Sequence, residues 1–251
     1  MTVLITGAAG GFGRRFAREF ASRGYDLILV DISDQGLKAM QQEFPSVSVE
    51  VLEADLSLVS DVKRVGKTFS GKVDVLINNA GVSTFGMPAD ASLSAELKML
   101  DINVRAAHML TRLFLPEMIK RNSGRILNIS SLSAWVPVAS LSAYSAGKAY
   151  LLSFSDGIQS EIKALKITGV QVSVATPAFY HTNIGGSKLQ VQGSAAAVDA
   201  FISNLVKKFL AGKTLIVDKT YGLVPIMCGL WVRNLLRVIL WRYVKKTVVR
   251  K

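Results

Sequence analysis

The sequence of 251 residues predicts an α/β fold, in which a doubly wound parallel sheet of about seven strands carries helices on both faces. Short apolar runs rich in β-branched residues alternate with longer segments of helical periodicity. The runs are apolar on both faces, as is typical of parallel strands that are covered from each side. Right-handed crossovers between such strands give the doubly wound arrangement, which binds ligands at the carboxyl ends of its strands.

The composition excludes several classes of protein. Half of the residues are apolar and 19% are charged, so a disordered or collagen-like chain is excluded. The single cysteine, Cys228, excludes an internal disulfide and favours a reducing, cytoplasmic compartment. We expect one Rossmann-like domain over residues 1–218, followed by a basic, apolar and helical tail over residues 219–251.

Each predicted element follows from its own stretch of sequence. The apolar runs predict strands over residues 2–6, 26–31, 48–52, 73–77, 124–130, 170–175 and 215–217. Segments of helical period predict helices over residues 11–23, 33–44, 59–69, 93–121, 142–165 and 195–210.

The first strand ends in a glycine-rich turn at residues 6–13, before a helix. Glycines allow a tight turn and a close approach of backbone to a pyrophosphate, and the helix start offers free N–H groups. Glycine-rich turns also arise for packing reasons, so context matters. The second strand ends at Asp31, 18 positions after Gly13. A carboxylate there can accept hydrogen bonds from ribose hydroxyls and repel a 2′-phosphate, which favours NAD over NADP. A helix-capping aspartate is the alternative, and Arg14 and Arg15 complicate the exclusion of NADP.

Several further motifs occur in a fixed order along the chain. Residues 78–81 read Asn-Asn-Ala-Gly, Asn103 stands alone, Ser131 lies 13 positions before Tyr144, and Lys148 lies four positions after it. This order over about residues 2–182 resembles the short-chain dehydrogenases/reductases. The resemblance implies an oxidoreductase that interconverts a secondary alcohol and a ketone with a nicotinamide cofactor.

The four catalytic residues are, by the same resemblance, Asn103, Ser131, Tyr144 and Lys148. A tyrosine hydroxyl, with an ordinary pKa of about 10, is a weak base at neutral pH. Lys148 lies one helical turn from Tyr144, so its positive charge is expected to lower the pKa of that hydroxyl. Ser131 would orient the substrate oxygen, and the resemblance gives Asn103 a bound water in a proton relay.

The predicted cofactor site combines the motifs at the strand ends. Pro177 is followed by Ala178 where the family usually has glycine, so we expect that loop to adjust. We predict NAD as the cofactor, NADP as the less favoured alternative, and no metal. The predicted cofactor-binding residues are Thr6, Gly7, Gly11, Phe12, Gly13, Asp31, Asp55, Leu56, Asn79, Ala80, Gly81, Tyr144, Lys148, Pro177 and Thr182.

Three stretches are expected to line the substrate cleft: residues 82–87, residues 134–139, and residues 179–180 with the loop 183–194. Their side chains are mostly apolar or aromatic, and the first two contain no arginine or lysine. This pattern favours a small lipophilic substrate, steroid-like or long-chain. The alternative is that some of these side chains pack on the sheet or on a second subunit.

The net charge of +12 is unevenly distributed. Residues 219–251 hold eight basic and no acidic residues, which leaves 22 basic and 18 acidic residues before them. Such a tail fits peripheral contact with a membrane surface, or packing over the cleft or on a partner subunit. No stretch reaches the roughly 20 uncharged apolar residues of a membrane span, and no nucleic-acid motif accompanies the charge.

The family resemblance also implies a homodimer or homotetramer, paired through the helices at residues 93–121 and 142–165. One alternative to the whole interpretation is a catalytically idle nucleotide-binding protein whose tail contacts a membrane or a partner.

Overall fold

A computed structural model of the chain describes residues 1–86, 91–178, 180 and 194–218. Its centre is a sheet of seven parallel strands in the order β3-β2-β1-β4-β5-β6-β7. The strands are β1 Thr2–Thr6, β2 Asp26–Asp31, β3 Val49–Glu53, β4 Val75–Asn78, β5 Gly124–Ile129, β6 Val170–Thr176 and β7 Leu215–Val217. The predicted fold class is therefore confirmed, and all seven predicted strands are present.

Seven α-helices connect the strands within the described residues. They are α1 Gly11–Ala21, α2 Asp34–Gln41, α3 Val59–Thr68, α4 Leu93–Leu100, α5 Ala107–Lys120, α6 Ser142–Ala164 and α7 Ala195–Leu210. A short 3₁₀ turn at Leu132–Ala134 follows β5.

Alternate residues of the strands supply two separate cores. Val3 and Ile5 of β1 face a layer formed by α1, α2 and α7, in which Phe16, Phe20 and Phe209 are fully buried. Leu4, between them in sequence, belongs to the opposite core with residues of α3, α5 and α6. This alternation is why the strands are apolar on both faces.

One predicted helix is interrupted. The sequence predicts a continuous helix over residues 93–121, whereas the structure has α4, a π-helical segment at Asp101–Ala106 and then α5. Both ends of the Asn103 side-chain amide, at the centre of that segment, bond the backbone of Val82. A widened π turn accommodates an extra residue, and such turns are frequent at functional sites.

The remaining differences lie at element ends. β3 and β4 are shifted towards the carboxyl end by one and two residues at their starts, and α1 ends two residues before its predicted end. The predicted tail at residues 219–251 lies outside the described residues, so its separation from the domain stays a prediction. Within the described part of the chain, no helix is long and apolar enough to cross a membrane.

Candidate active site

A cleft of about 530 Å³ opens at the carboxyl end of the sheet, above β1 and β4. The chain leaves these two neighbouring strands towards opposite faces of the sheet, so a crevice forms between them. One end of the cleft is lined by the glycine turn and Asp31, and the other end by Ser131, Tyr144 and Lys148. The structure thus brings both groups of predicted residues into one continuous site.

The glycine turn can exist only because two positions lack a side chain. Gly7 has a φ of +63°, and a Cβ there would lie 2.8 Å from the Cα of Ala80. A Cβ on Gly13 would lie 2.1 Å from the carbonyl oxygen of Gly7. Without these side chains the turn packs closely against the start of α1 and leaves its free N–H groups accessible. Those groups can bind a pyrophosphate. The residues present fit a dinucleotide at this end of the cleft.

A polar network joins this turn to the end of β4. The hydroxyl of Thr6 accepts hydrogen bonds from the backbone N–H groups of Asn79 and Ala80, both at 3.0 Å. In return, the Asn79 amide donates to the carbonyl oxygens of Thr6 and Gly7, at 2.9 and 3.1 Å. These bonds fix the two strand ends against each other, so the floor of the cleft is preorganised.

Two carboxylates stand at the same end of the cleft. Asp31 accepts hydrogen bonds from the N–H groups of Ala9 at 2.9 Å and Ser33 at 3.0 Å. Asp55 accepts from both the hydroxyl and the N–H of Ser57, and Lys98 lies 3.6 Å away. Partial burial raises the pKa of Asp55, but the bonds from Ser57 and the charge of Lys98 outweigh it and leave the pKa below its usual range. Asp55 is therefore a carboxylate at neutral pH.

At the opposite end, β5 and α6 bring Ser131, Tyr144 and Lys148 together. Ser131, just after β5, makes a hydrogen bond with the Tyr144 hydroxyl. The Nζ of Lys148 donates to the carbonyl oxygen of Ile129 at 2.9 Å and lies 5.6 Å from the centre of the Tyr144 ring. Lys148 is only 4% exposed, and this hydrogen bond ties its ammonium group to the end of β5.

Burial dominates the pKa values of the pair. It raises the pKa of Tyr144 to about 12, against a smaller lowering by the hydrogen bond from Ser131. It lowers the pKa of Lys148 to about 8, because a charged ammonium is disfavoured away from water. The expected lowering of the Tyr144 pKa by Lys148 is not among these influences. The chain therefore holds Tyr144 protonated at neutral pH.

The sequence and the fold are similar to those of known proteins. The family model described as short chain dehydrogenase matches residues 1–192. The chain belongs to the short-chain dehydrogenase family. The family comprises NAD(P)-dependent oxidoreductases, which agrees with the cleft described above.

Among curated relatives of the family, dehydrogenase/reductase SDR family member 7B of Xenopus tropicalis is 33% identical over 203 residues, 76% of this chain and 65% of that protein. Ketoacyl reductase HetN of Nostoc sp. is 34% identical over 227 residues, 85% of this chain and 76% of that one. A solved short-chain dehydrogenase from Sphingobium yanoikuyae in complex with NADPH aligns over 94% of both chains, with a TM-score of 0.85 and 28% identity.

Three of the predicted site residues lie behind the wall of the cleft. Thr6 and Gly13 support the glycine turn from below. Asn103 is 2% exposed and lies behind Gly81, where a Cβ would come within 3.3 Å of its Oδ1 and 3.5 Å of the Lys148 Nζ. Gly81 therefore lies close to both the Asn103 amide and the ammonium group of Lys148. The relay role of Asn103 stays a prediction.

The loop after β6 closes the cleft from the α7 side. Pro177, Ala178 and Tyr180 line the cleft, and Ala178 is not among the described residues with positive φ. The loop thus takes alanine in place of the family's glycine without a left-handed backbone. The Tyr180 ring lies against Phe12, and its hydroxyl donates to the buried Asp218. Thr182 lies outside the described residues.

Several lining residues were not predicted to contact the cofactor. They lie within the predicted glycine turn, at the end of a predicted strand or within two residues after one. That position is the signal that could have found them, because residues at strand ends reach the same edge of the sheet. These residues are Ala9, Gly10, Ile32, Ser33, Ala54 and Ser130. Gly36, Ile102 and Leu141 reach the cleft from helices or helix starts, for which the sequence offers no comparable signal. Within the described residues, no group of three or more acidic, histidine or cysteine side chains is placed to hold a metal ion.

Proposed function

We propose that this chain is an NAD(H)-dependent oxidoreductase that interconverts a secondary alcohol and a ketone on a lipophilic substrate. One observation carries the proposal: Ser131, Tyr144 and Lys148 meet at one end of a cleft whose other end is a glycine turn fit for a dinucleotide. The chemistry that a bound nicotinamide supplies there is hydride transfer to or from carbon.

The protein's part of the reaction is to move a proton at oxygen. In ketone reduction, the O–H bond of Tyr144 breaks and its proton passes to the carbonyl oxygen of the substrate, which becomes the hydroxyl of the alcohol. A pKa of about 12 keeps that proton available at neutral pH. Ser131 orients the substrate oxygen, and its hydrogen bond to the Tyr144 hydroxyl favours the tyrosinate left behind. Oxidation runs the same step in reverse and is favoured at higher pH.

The lining of the catalytic end supports the lipophilic substrate. Val82, Phe85, Leu141 and Ala178 line it with apolar groups, and Lys148 is the only cation among the described residues at this end. No described side chain there is suited to clamp a carboxylate or a phosphate. The ketoacyl reductase relative acts, by its name, on a keto group of an acyl chain, which is a substrate of this kind.

NADPH is the competing cofactor. The carboxylate of Asp31 at the adenosine end favours a free 2′-hydroxyl and hence NAD. The similar Sphingobium protein was solved with NADPH, and other structural neighbours carry NAD or NADP. Binding of NADH and NADPH to wild type and to Asp31→Ala tests the preference, and tighter binding of NADPH by wild type would contradict it.

The mechanism is tested by Tyr144→Phe. We expect turnover to fall by about 10²-fold or more, because the proton donor is lost, while NADH binding stays within about twofold. Turnover is measured with a panel of candidate substrates: steroids, bile acids, long-chain ketones and polyols. The reduced cofactor is followed by its absorbance. Tyr150→Phe is the matched control, because Tyr150 lies on the same helix, 40% exposed. Full turnover by Tyr144→Phe contradicts the mechanism, and a preference for polyols contradicts the lipophilic substrate.

The tail at residues 219–251 is proposed to contact an anionic membrane surface. Its support is its composition, eight basic and no acidic residues, which carries two thirds of the net charge of +12. Each basic residue near such a surface contributes about 1 kcal/mol. We expect the chain to co-sediment with anionic vesicles at low salt, and a chain lacking residues 223–251 to stay in solution. Equal recovery of both contradicts this role.

A further inference from the structure

Two consecutive arginines, Arg14 and Arg15, follow the glycine turn, and their side chains lie in different places. Arg15 faces α7: its Nε donates to Asp199, and its Nη1 donates to the carbonyl oxygen of Gly11 at 2.9 Å. It does not line the cleft. Arg14 lines the cleft beside Asp31, Ser33 and Gly36. Of this pair, Arg14 is therefore the one with access to the adenosine end.

Arg14 and Asp31 are anchored to the same residue of the turn. The N–H of Ala9 donates to the carboxylate of Asp31 at 2.9 Å, and its carbonyl oxygen accepts from the Nε of Arg14 at 3.1 Å. A carboxylate and a guanidinium group thus approach the same small region. The first disfavours a 2′-phosphate by charge, and the second binds phosphate oxygens in a fixed planar geometry.

Arg14 forms an ion pair with Glu43, which lies just beyond the end of α2. The Nη1 of Arg14 lies 3.7 Å from one oxygen of Glu43, while Arg18 lies 2.6 Å from the other. Among the described residues, the guanidinium group of Arg14 makes one hydrogen bond, from its Nε, and no other. Its remaining N–H groups are therefore available to a ligand. At 35% exposure of Arg14 and 29% of Glu43, the ion pair is weak and can be exchanged for a stronger one.

We infer that Arg14 provides the affinity of this chain for a 2′-phosphorylated dinucleotide, and that Glu43 limits that affinity by pairing with Arg14. The inference rests on the proposed function, since it needs a dinucleotide in the cleft. Asp31 and Arg14 then act against each other, and Glu43 sets the balance between the two cofactors. Glu43 is a positioning residue in this scheme, because it acts through Arg14.

The test measures dissociation constants of NADH and NADPH by nicotinamide fluorescence, without substrate. Wild type, Arg14→Ala and Glu43→Gln are compared, each also in the Asp31→Ala background, in which we expect stronger NADPH binding. We expect Arg14→Ala to weaken NADPH binding about tenfold, because a charge-assisted hydrogen bond is lost, and NADH binding to change by less than about twofold. Glu43→Gln should tighten NADPH binding about two- to fivefold, as expected for release from an exposed ion pair.

Arg15→Ala is the matched control and should leave both constants unchanged. Raising the salt concentration should shrink the effect of Arg14→Ala on NADPH, because the interaction is between charges near the surface. Unchanged ratios of the two constants in both Arg14→Ala and Glu43→Gln overturn the inference alone. Failure of wild type and Asp31→Ala to bind either dinucleotide overturns the proposed function with it.

Discussion

Lys148 is a charged side chain placed almost entirely out of water, and this position has a measurable consequence for stability. Burial lowers its pKa to about 8 in the folded chain, against about 10.5 for an ordinary lysine. Between these two values the unfolded chain binds more protons than the folded one, so this group makes stability rise with pH. Below pH 8 its burial costs stability in full.

We therefore predict that Lys148→Met raises the free energy of unfolding at pH 7 by about 2 kcal/mol, which is the relieved cost of burying a charge less the hydrogen bond to Ile129. The gain should shrink steadily as the pH rises from 8 to 10.5. Urea denaturation at several pH values measures it. Lys207→Met, at an exposed position of α7, should show no such trend. A gain that does not depend on pH would contradict the prediction.

At the scale of residues, the sequence predicted which side chains form the site but not their pKa values. Helix spacing placed Tyr144 and Lys148 on one face, and the family resemblance added Ser131 at the end of a strand. The pKa of Tyr144 depends on how far its hydroxyl is removed from water, and no local pattern encodes that. The partner of Asn103 is likewise 21 residues away, at Val82, and becomes visible only in the fold.

At the scale of the elements, the start of α6 determines where Tyr144 points. Ser140, two residues before α6, has a φ of +66°, in the left-handed region that disfavours a side chain. Its carbonyl oxygen accepts a hydrogen bond from the N–H of Gly86 at 3.3 Å, so this backbone also joins two walls of the cleft. The chain thus accepts local strain where it directs the catalytic helix.

We predict that Ser140→Gly stabilises the fold by about 0.5–1 kcal/mol, because glycine adopts this backbone without strain. Ser160→Gly, within α6, should instead destabilise by a similar amount, since glycine is unfavourable in a helix. Chemical denaturation compares the two. Should Ser140→Gly prove no more stable than wild type, the strain at this position would be refuted.

Element type was predictable from compact apolar runs, as in β1 and β2, and from a long helical period, as in α7; the bounds of all three match the prediction. The π-helical segment between α4 and α5 was not, because residues 93–121 keep a helical period throughout. Within that segment Asn103 bonds the backbone of Val82, a tertiary contact that the local pattern does not encode. The ends of α1 and α2 also lie two and three residues before the predicted ends. At α1 the stop signal is Gly24, which has a φ of +76° just after the last turn.

For the molecule as a whole, the layer of α5 and α6 leaves large apolar and aromatic side chains exposed. On the layer of α5 and α6, His108 stacks on Phe154 with ring centres 4.5 Å apart, and its Nδ1 lies 2.7 Å from the Tyr150 hydroxyl. Tyr150 and Leu113 are 40% and 43% exposed. Aromatic groups clustered on a helix pair are typical anchors of a subunit interface. They support the predicted pairing of these helices with a second copy of the chain.

We propose that the wild type is a dimer or tetramer paired through this face, and we predict that Tyr150→Glu makes it a monomer, because the substitution would place a charge in the proposed apolar contact. Size-exclusion chromatography with light scattering measures the mass, and circular dichroism checks that the fold is kept. Ala200→Glu adds the same charge at an exposed position of α7, in the layer on the opposite face of the sheet, and should leave the mass unchanged. An unchanged mass in Tyr150→Glu, or a monomeric wild type, would exclude this face as the interface.

The same helix α6 also carries Tyr144 and Lys148. An interface built on α6 would therefore link the alignment of the catalytic pair to assembly. The monomer should then lose turnover more than it loses NADH binding.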